Sequence, residues 1–315
     1  MQAVVLPPAC YIGKEKAVNR KKIKFDIVPY LFLSPWIIGF IAFSGLPILI
    51  SFALSLTSWN MSGKIKFIGF HNFKSIFQLH SSFWVSLRVT LIFTLFSVLL
   101  TMLWSLMMAT ILNSRIWFKK MFQFFFFLCA VLPTVALGFA FQLMLNSEIG
   151  IVNYWLKTFF AISNPPNWLT DRKWSLVTVI IFTIFTYGTG QMMLVFSSAL
   201  KEVPQDLYES ASLDGANGFQ KYMHITLPAI SPILLFNMVV AGINSLNGAF
   251  SSVFPVTGGG PDGATRVLSL QIYESAFKNY KMGIASSQAI VLFIIALIIS
   301  LVQFAMSKKW VHYEN

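Results

Sequence analysis

The side chains able to do chemistry fall into three groups, and none of them makes a catalytic centre. The first is the run from Lys201 to Pro228, which holds four of the 11 acidic residues of the chain, Glu202, Asp206, Glu209 and Asp214. The second is a set of neutral polar residues at helical spacing. Asn237, Asn244, Asn247 and Ser251 follow one another at steps of seven, three and four, and Thr183, Thr186, Tyr187, Gly190 and Gln191 form a similar set. Amides beside aromatic rings suit a ligand that offers hydroxyl groups and apolar ring faces, and they hold it without charge. Taken singly, each reads rather as glue between helices, worth ~0.6 to 2 kcal/mol per hydrogen bond. Gly188 and Gly190 leave room for a bulky ligand or another helix to approach closely. The third group is Gly258 to Thr265, Gly-Gly-Gly-Pro-Asp-Gly-Ala-Thr, a near miss to a phosphate-binding loop. Ala264 stands where the lysine is needed and no strand precedes it, so any ATP must be hydrolysed by another chain. His71, His80, His224 and His312 are far apart, and Cys10 and Cys129 make no framework, so metal and redox chemistry are not indicated.

The elements that must position these groups are apolar. Of 315 residues 56% are hydrophobic and 11% charged, with 32 Phe and a mean hydropathy of +0.70. A soluble domain carries roughly 25% charged residues, which excludes an ordinary water-soluble enzyme. Six charge-free stretches, 27–63, 89–112, 121–147, 174–200, 225–261 and 282–307, can each hold the ~20 apolar residues of a membrane-crossing helix. The fold class expected is therefore all-α, a polytopic membrane protein of six transmembrane helices. Residues 1–26 form a basic tail, 27–307 the spanning domain and 308–315 a C-terminal tail. The positive-inside rule puts both tails, the loop 113–120 and the loop 201–228 in the cytoplasm. The net charge of +12 divides evenly, +6 on each side, and its lysines and arginines flank apolar spans. That is membrane anchoring rather than nucleic-acid binding. Pro29, Pro35, Pro47, Pro133, Pro228, Pro232 and Pro255 lie in or beside spans and predict helices bent around a central space.

The loop 201–228 reads as helix, tight turn, helix. Pro204 suits a first turn, Asp206 and Glu209 complement the positive end of the helix dipole, Gly215 supplies the break, and Asn217 can cap a second helix. Leu207, Ala211, Ala216, Phe219, Tyr222 and Ile225 would give it a partly apolar surface. Such a surface either receives a partner or packs back on its own helix ends.

The segment Glu209-Ser-Ala-Ser-Leu-Asp214-Gly215-Ala216, followed at His224 by Ile225-Thr-Leu227-Pro228, resembles the EAA motif of the membrane subunits of bacterial binding-protein-dependent ABC importers, with Ser210 in place of the first alanine. The resemblance implies a type I importer permease fold and assigns Glu209, Ala211, Asp214 and Gly215 to coupling with an ATPase. It implies as partners a homologous second permease subunit, two ATPase subunits carrying ATP-Mg, and an extracytoplasmic solute-binding protein. This chain would bind no cofactor itself. The location implied is the bacterial inner membrane.

Three further stretches resemble the carbohydrate branch of these importers: Phe67-Ile-Gly69-Phe-His-Asn72-Phe73, Thr257-Gly258-Gly259-Gly260-Pro261 with Ile272-Tyr273 and Ala276-Phe277, and Trp310-Val311-His312-Tyr313. The branch places sugar contacts on spans four and five, which points to Tyr187, Gly188, Gln191, Asn244 and Asn247 as the substrate pathway. The competing reading is an ion-coupled secondary transporter of a neutral polar solute. The lack of any Asp, Glu, Lys or Arg in the middle of a span speaks against it.

Overall fold

The computed structural model describes residues 28–79, 81–114, 116–308 and 310–311. The basic tail 1–26 with Cys10, the residues His80 and Arg115, and Lys309 and 312–315 of the C-terminal tail lie outside the described residues. So do the side chains of Tyr187 and Gly188. The chain divides into two compact units, residues 1–48 and 49–315.

α1 (Val28–Phe40) passes through a π-helical turn at Ile41–Gly45 into α2 (Leu46–Ser55), and the boundary between the units falls within the first turn of α2. The wide turn has a local cause. Pro47 cannot donate a hydrogen bond to Phe43, and its ring crowds the Phe43 carbonyl, so the ladder steps out by one residue and Leu46 N–H bonds Ile41 O instead.

The second unit carries the remaining helices: α3 (His71–Ile76), α4 (Ser82–Asn113), α5 (Lys119–Val131), α6 (Thr134–Met144), α7 (Ile151–Phe160), α8 (Ser175–Thr183), α9 (Thr189–Glu202), α10 (Gln205–Leu213), α11 (Gly218–Lys221), α12 (Leu227–Ala229), α13 (Ser231–Val256), α14 (Leu268–Tyr273) and α15 (Met282–Ser307). Four stretches, Tyr30–Ser55, α4, α13 and α15, are each long and apolar enough to cross a membrane alone. Two bent pairs complete the set of six when each pair counts as one span: α5 with α6 at 105°, and Ser175–Thr186 with α9 at 50°. Among the described residues there is no strand, only an isolated bridge between Thr57 and Phe67. The six-span, all-α expectation stands.

The prolines act more variously than simple kinks. Pro133 separates α5 from α6 and turns the chain through 105°, a break rather than a bend. Pro228 follows a second π turn, Tyr222–Thr226, whose middle residue His224 is the one it would otherwise have bonded. Pro232 sits in the first turn of α13, where its missing N–H is harmless. Arg88 belongs to the second turn of α4, so that span starts seven residues earlier than the charge-free stretch predicts.

α4 is the central element and packs on both α9 and α13. Ser86, Thr90, Thr94, Ser97, Thr101 and Ser105 recur along its buried face, small residues that let helix axes approach where no hydrophobic force drives them together. On α9, Gly190 serves the same purpose: a Cβ there would stand 2.5 Å from the Phe126 carbonyl oxygen of α5. The neighbour that its small size admits is a helix. One apolar cluster gathers Leu112, Val203, Ile230 and Ala241 with Ile116 and Tyr208, so the 113–120 connection and the 201–228 segment share one end of the bundle. Val89, Phe182, Val256 and Val267 form another cluster toward the opposite end. Asn72 explains the Gly-x-x-Asn-Phe element in structural terms. Its amide nitrogen donates to the carbonyls of Ser55 (2.7 Å) and Thr57 (2.8 Å), closing the open end of α2.

Candidate functional site

Residues 205–229 fold as a hairpin of short helices. α10 ends in a paired-hydrogen-bond cap: Ala216 N–H reaches Ala211 O at 2.9 Å and Gly215 N–H reaches Ser212 O at 3.1 Å. Gly215 supplies the left-handed residue that this geometry requires, with φ +79°. Asn217 then opens α11 with a reciprocal capping box, its side chain accepting from Gln220 N–H at 2.9 Å while Gln220 Oε1 accepts from Asn217 N–H at 2.8 Å. Lys221 Nζ donates to Ser212 Oγ at 2.6 Å and clips the two arms together.

The two faces of the hairpin differ. Ala211, Ala216, Tyr222 and Ile225 are half-buried and turn inward, and Tyr208 and Ile225 pack against the bundle core. The outward apolar surface is instead made by Leu207, Leu213, Phe219 and Met223, with Leu213 91% and Phe219 71% exposed. Leu213 was not singled out by the sequence, because a lone leucine in a helix gives no signal of which way it faces. Asp206, Glu209 and Leu213 recur at steps of three and four and share one exposed face of α10. Ala211, Asp214 and Gly215 line a hollow of about 360 Å³ with Ala216, Gln220, Lys221, His224 and Ile225. The four residues matched to the EAA motif thus divide, three in the hollow and Glu209 on the outer face.

At mid-length of the bundle lies a second cavity of about 280 Å³. α4 contributes Phe93, Ser97, Val98 and Thr101, and α13 contributes Ala241, Asn244, Ser245, Gly248, Ala249, Ser251 and Ser252. Thr134, Thr183 and Met192 close it from α6, α8 and α9. Every polar group in the lining is a neutral hydroxyl or amide, and Ser97 and Ser245 hydroxyls pair across it at 2.8 Å.

Of the predicted pathway residues, Asn244 lies in this wall. Gln191 and Asn247 are exposed and lie outside the lining. Asn247 nevertheless shares the face of α13 that carries Asn244, Gly248 and Ser251, so one polar stripe begins in the cavity and continues onto the open surface. Tyr187 and Gly188 fall in a π turn, Ile184–Gly188, that Thr189 closes by donating its hydroxyl to Ile184 O. Ser97 and Thr101 were missed by the sequence reading; their signal is the hydroxyl repeat on α4. Asn237 is buried on α13 away from the cavity lining. Among the described residues no cluster of three or more His, Cys, Asp or Glu could hold a metal ion.

The Gly258–Gly263 loop at the opposite end is built by left-handed residues, Gly258, Gly259, Asp262 and Gly263. Thr265 ties it, bonding Thr257 Oγ1 and Gly260 O, both at 2.7 Å. Just beyond, Glu274 pairs with Arg266 at 2.5 Å and with Lys278 at 3.3 Å.

The helical unit 49–315, with an exposed helical hairpin at one end and an uncharged polar cavity at its middle, has the layout of a transport subunit rather than an enzyme. Residues 101–311 match the family model for the binding-protein-dependent transport system inner membrane component, and the chain belongs to that family. It is a permease subunit of an ABC importer. It is 34% identical over 94% of its length to the probable ABC transporter permease protein YesP of Bacillus subtilis, covering 96% of that protein. It is 31% identical to the trehalose/maltose transport system permease protein MalF of Thermococcus litoralis, over 87% of this chain and 91% of that one. Among solved structures it resembles a chain of the bacterial alginate ABC transporter in complex with an alginate pentasaccharide-bound periplasmic protein. The TM-score is 0.77 at 25% identity, covering 91% of this chain and 96% of that one.

Proposed function

We propose that this permease imports a carbohydrate, most simply a neutral saccharide, delivered by an extracytoplasmic solute-binding protein. It would act with a homologous second permease subunit and two ATPase subunits that bind ATP-Mg, with both termini and the 201–228 hairpin in the cytoplasm. The observation that carries the reading is the pairing of two surfaces on one set of helices. A polar but charge-free cavity sits at mid-span, and a hairpin at one end presents acids and exposed leucine and phenylalanine side chains. The cargoes named for similar proteins, trehalose/maltose and the acidic polysaccharide alginate, support a saccharide. A neutral one is favoured because a carboxylate in this cavity would find no cation among its lining side chains, and an unpaired buried charge costs several kcal/mol.

In this reading Glu209, Ala211, Asp214 and Gly215 engage the ATPase, which has its own nucleotide chemistry; this chain holds no nucleotide. Closure of the ATPase pair moves the hairpin and rocks the bundle around the cavity. Asn244 and the hydroxyls of Ser97, Thr101 and Ser245 hold the passing saccharide, with Tyr187, Gly188, Gln191 and Asn247 continuing the pathway toward the second permease. The test is uptake by the assembled complex in proteoliposomes, with a panel of neutral and uronate oligosaccharides. Uptake that requires ATP and the binding protein supports the reading. Uptake driven by a proton or sodium gradient without ATP returns it to secondary transport.

A further inference from the structure

The hairpin is joined to the two long helices that line the cavity through one short segment, the π-helical turn Tyr222–Thr226. Two tyrosine hydroxyls meet there. Tyr208 of α10 lies 2.8 Å from the hydroxyl of Thr226, which is 5% exposed. Thr226 also reaches Lys221 O at 3.5 Å, and in the shorter pair with Tyr208 either hydroxyl can donate. From the first residue of the same turn, Tyr222 reaches Thr110 of α4 at 3.3 Å. Thr110 donates to Leu106 O at 2.8 Å, so its oxygen accepts the Tyr222 proton. The turn therefore holds α10 through Tyr208, holds α4 through Tyr222, and leads through α12 into α13.

The geometry points to Tyr208, Tyr222, Thr226 and Thr110 as positioning residues that transmit hairpin movement to both walls of the cavity. Thr110 lies nine residues from Thr101, about 14 Å along α4 at 1.5 Å per residue. A displacement of Tyr222 thus acts on the helix carrying Ser97 and Thr101, while the same turn moves the start of the helix carrying Asn244 and Ser245. A π turn suits this task because its hydrogen-bond ladder is already stepped out of α-helical register, and such turns recur at functional sites. Apolar packing of Tyr208, Ile225 and Leu227 supports the junction but has no direction. The hydroxyl pairs set which groups move together.

The inference rests on the ATP-driven reading, and one experiment separates the two. In the complete reconstituted complex, saccharide imported per ATP hydrolysed is measured for wild type, Tyr222→Phe, Thr110→Val, their double variant, Tyr208→Phe and Thr110→Ser, alongside the yield of assembled complex. The expected result is a fall of three-fold or more in saccharide per ATP for Tyr222→Phe, Thr110→Val and Tyr208→Phe at unchanged assembly. The double variant should be no worse than its singles, and Thr110→Ser, which keeps the acceptor, should match wild type. An unchanged ratio in Tyr222→Phe and Thr110→Val overturns the inference. So does a double variant that loses the product of the two single effects, or a loss that simply tracks failure to assemble. A wild-type complex that imports nothing with ATP defeats the ATP-driven reading instead.

Discussion

Substitution of Gly215 isolates the contribution of the hairpin turn from every other property of the chain. The residue has φ +79°, and a Cβ built on it meets nothing within 4 Å, so replacement is sterically free in this chain and the cost is entirely backbone. For an L-residue the left-handed conformation costs roughly 1–2 kcal/mol, which lowers the population of the formed turn by a factor of about 5–30. Asn visits this region more readily than Ala, and β-branched Val least of all. The expected order of function is therefore Gly, then Asn, then Ala, then Val. Binding of the purified ATPase subunit to the permease in nanodiscs gives the affinity, and ATP-driven uptake gives the consequence. Membrane insertion should be unaffected, because the cap bonds from Gly215 and Ala216 stay within α10 and its turn. Asn also separates two explanations. If the loss came from a collision with the docked ATPase, the larger Asn would be worse than Ala. Binding of the Val variant at wild-type affinity, or Asn below Ala, would refute the backbone argument.

Three further outcomes follow from the same structure. Leu213→Asp should abolish ATPase binding while the thermal midpoint of the permease shifts little, since an exposed substitution of this kind changes stability by about 0.5 kcal/mol or less; a melting curve beside a pull-down checks it. Asn72→Ala removes two hydrogen bonds to backbone carbonyls at a buried site and should destabilise the detergent-solubilised protein by about 1–3 kcal/mol, read as a lowered midpoint, with saccharide preference unchanged. Asn244→Ala should weaken saccharide transport by about ten-fold, the equivalent of one hydrogen bond near 1.4 kcal/mol, and more than Asn247→Ala. Equal effects of the two in uptake assays would place the cargo on the open stripe rather than in the cavity.

Much of the fold was legible because lipid permits few choices. A run of twenty uncharged residues has to be a buried or spanning helix, so the count of spans followed from charge spacing alone. The ends were less legible. Arg88 terminates a charge-free run, yet it is helical, because a long basic side chain at the second turn of α4 can lie along the helix while its charge stays at the surface. Residues 225–230 are uncharged yet precede the span, since Pro228 and Pro232 force a π turn and a restart there. The hairpin turn was readable to the residue, Gly215 and Asn217 included, because caps are local chemistry. Which face of the hairpin looks outward was not readable, because Tyr208 and Leu213 are distinguished only by packing: Tyr208 joins the cluster of Leu227 and Ile230, while Leu213 is exposed. The cavity was half readable: Asn244 stands out as an amide in an apolar run, while Ser97 and Thr101 disappear into the average hydropathy of α4.

The hydroxyl repeat on α4 links packing to transport in a way that charge could not. Ser and Thr in a helix can satisfy themselves on their own backbone, as Thr90 does with Ser86 O at 2.7 Å and Thr110 with Leu106 O at 2.8 Å. Such a hydroxyl still has a lone pair to offer another element, as Thr90 does to Leu268 N–H at 2.7 Å and Thr110 to Tyr222, and Ser97 pairs with Ser245 on α13. An amide or a charged group in the same position would have to keep its cross-helix bond or leave a buried group unpaired, at ~1–3 kcal/mol or more. Where a hydroxyl donates to its own backbone, α4 keeps that bond whatever helix lies opposite. In the proposed role, Ser97 and Thr101 would exchange hydrogen bonds with the hydroxyls of a saccharide. Neutral polarity on α4 thus answers two requirements at once: close helix approach and, in the proposed role, a wall that can grip a polyhydroxylated cargo weakly enough to let it go.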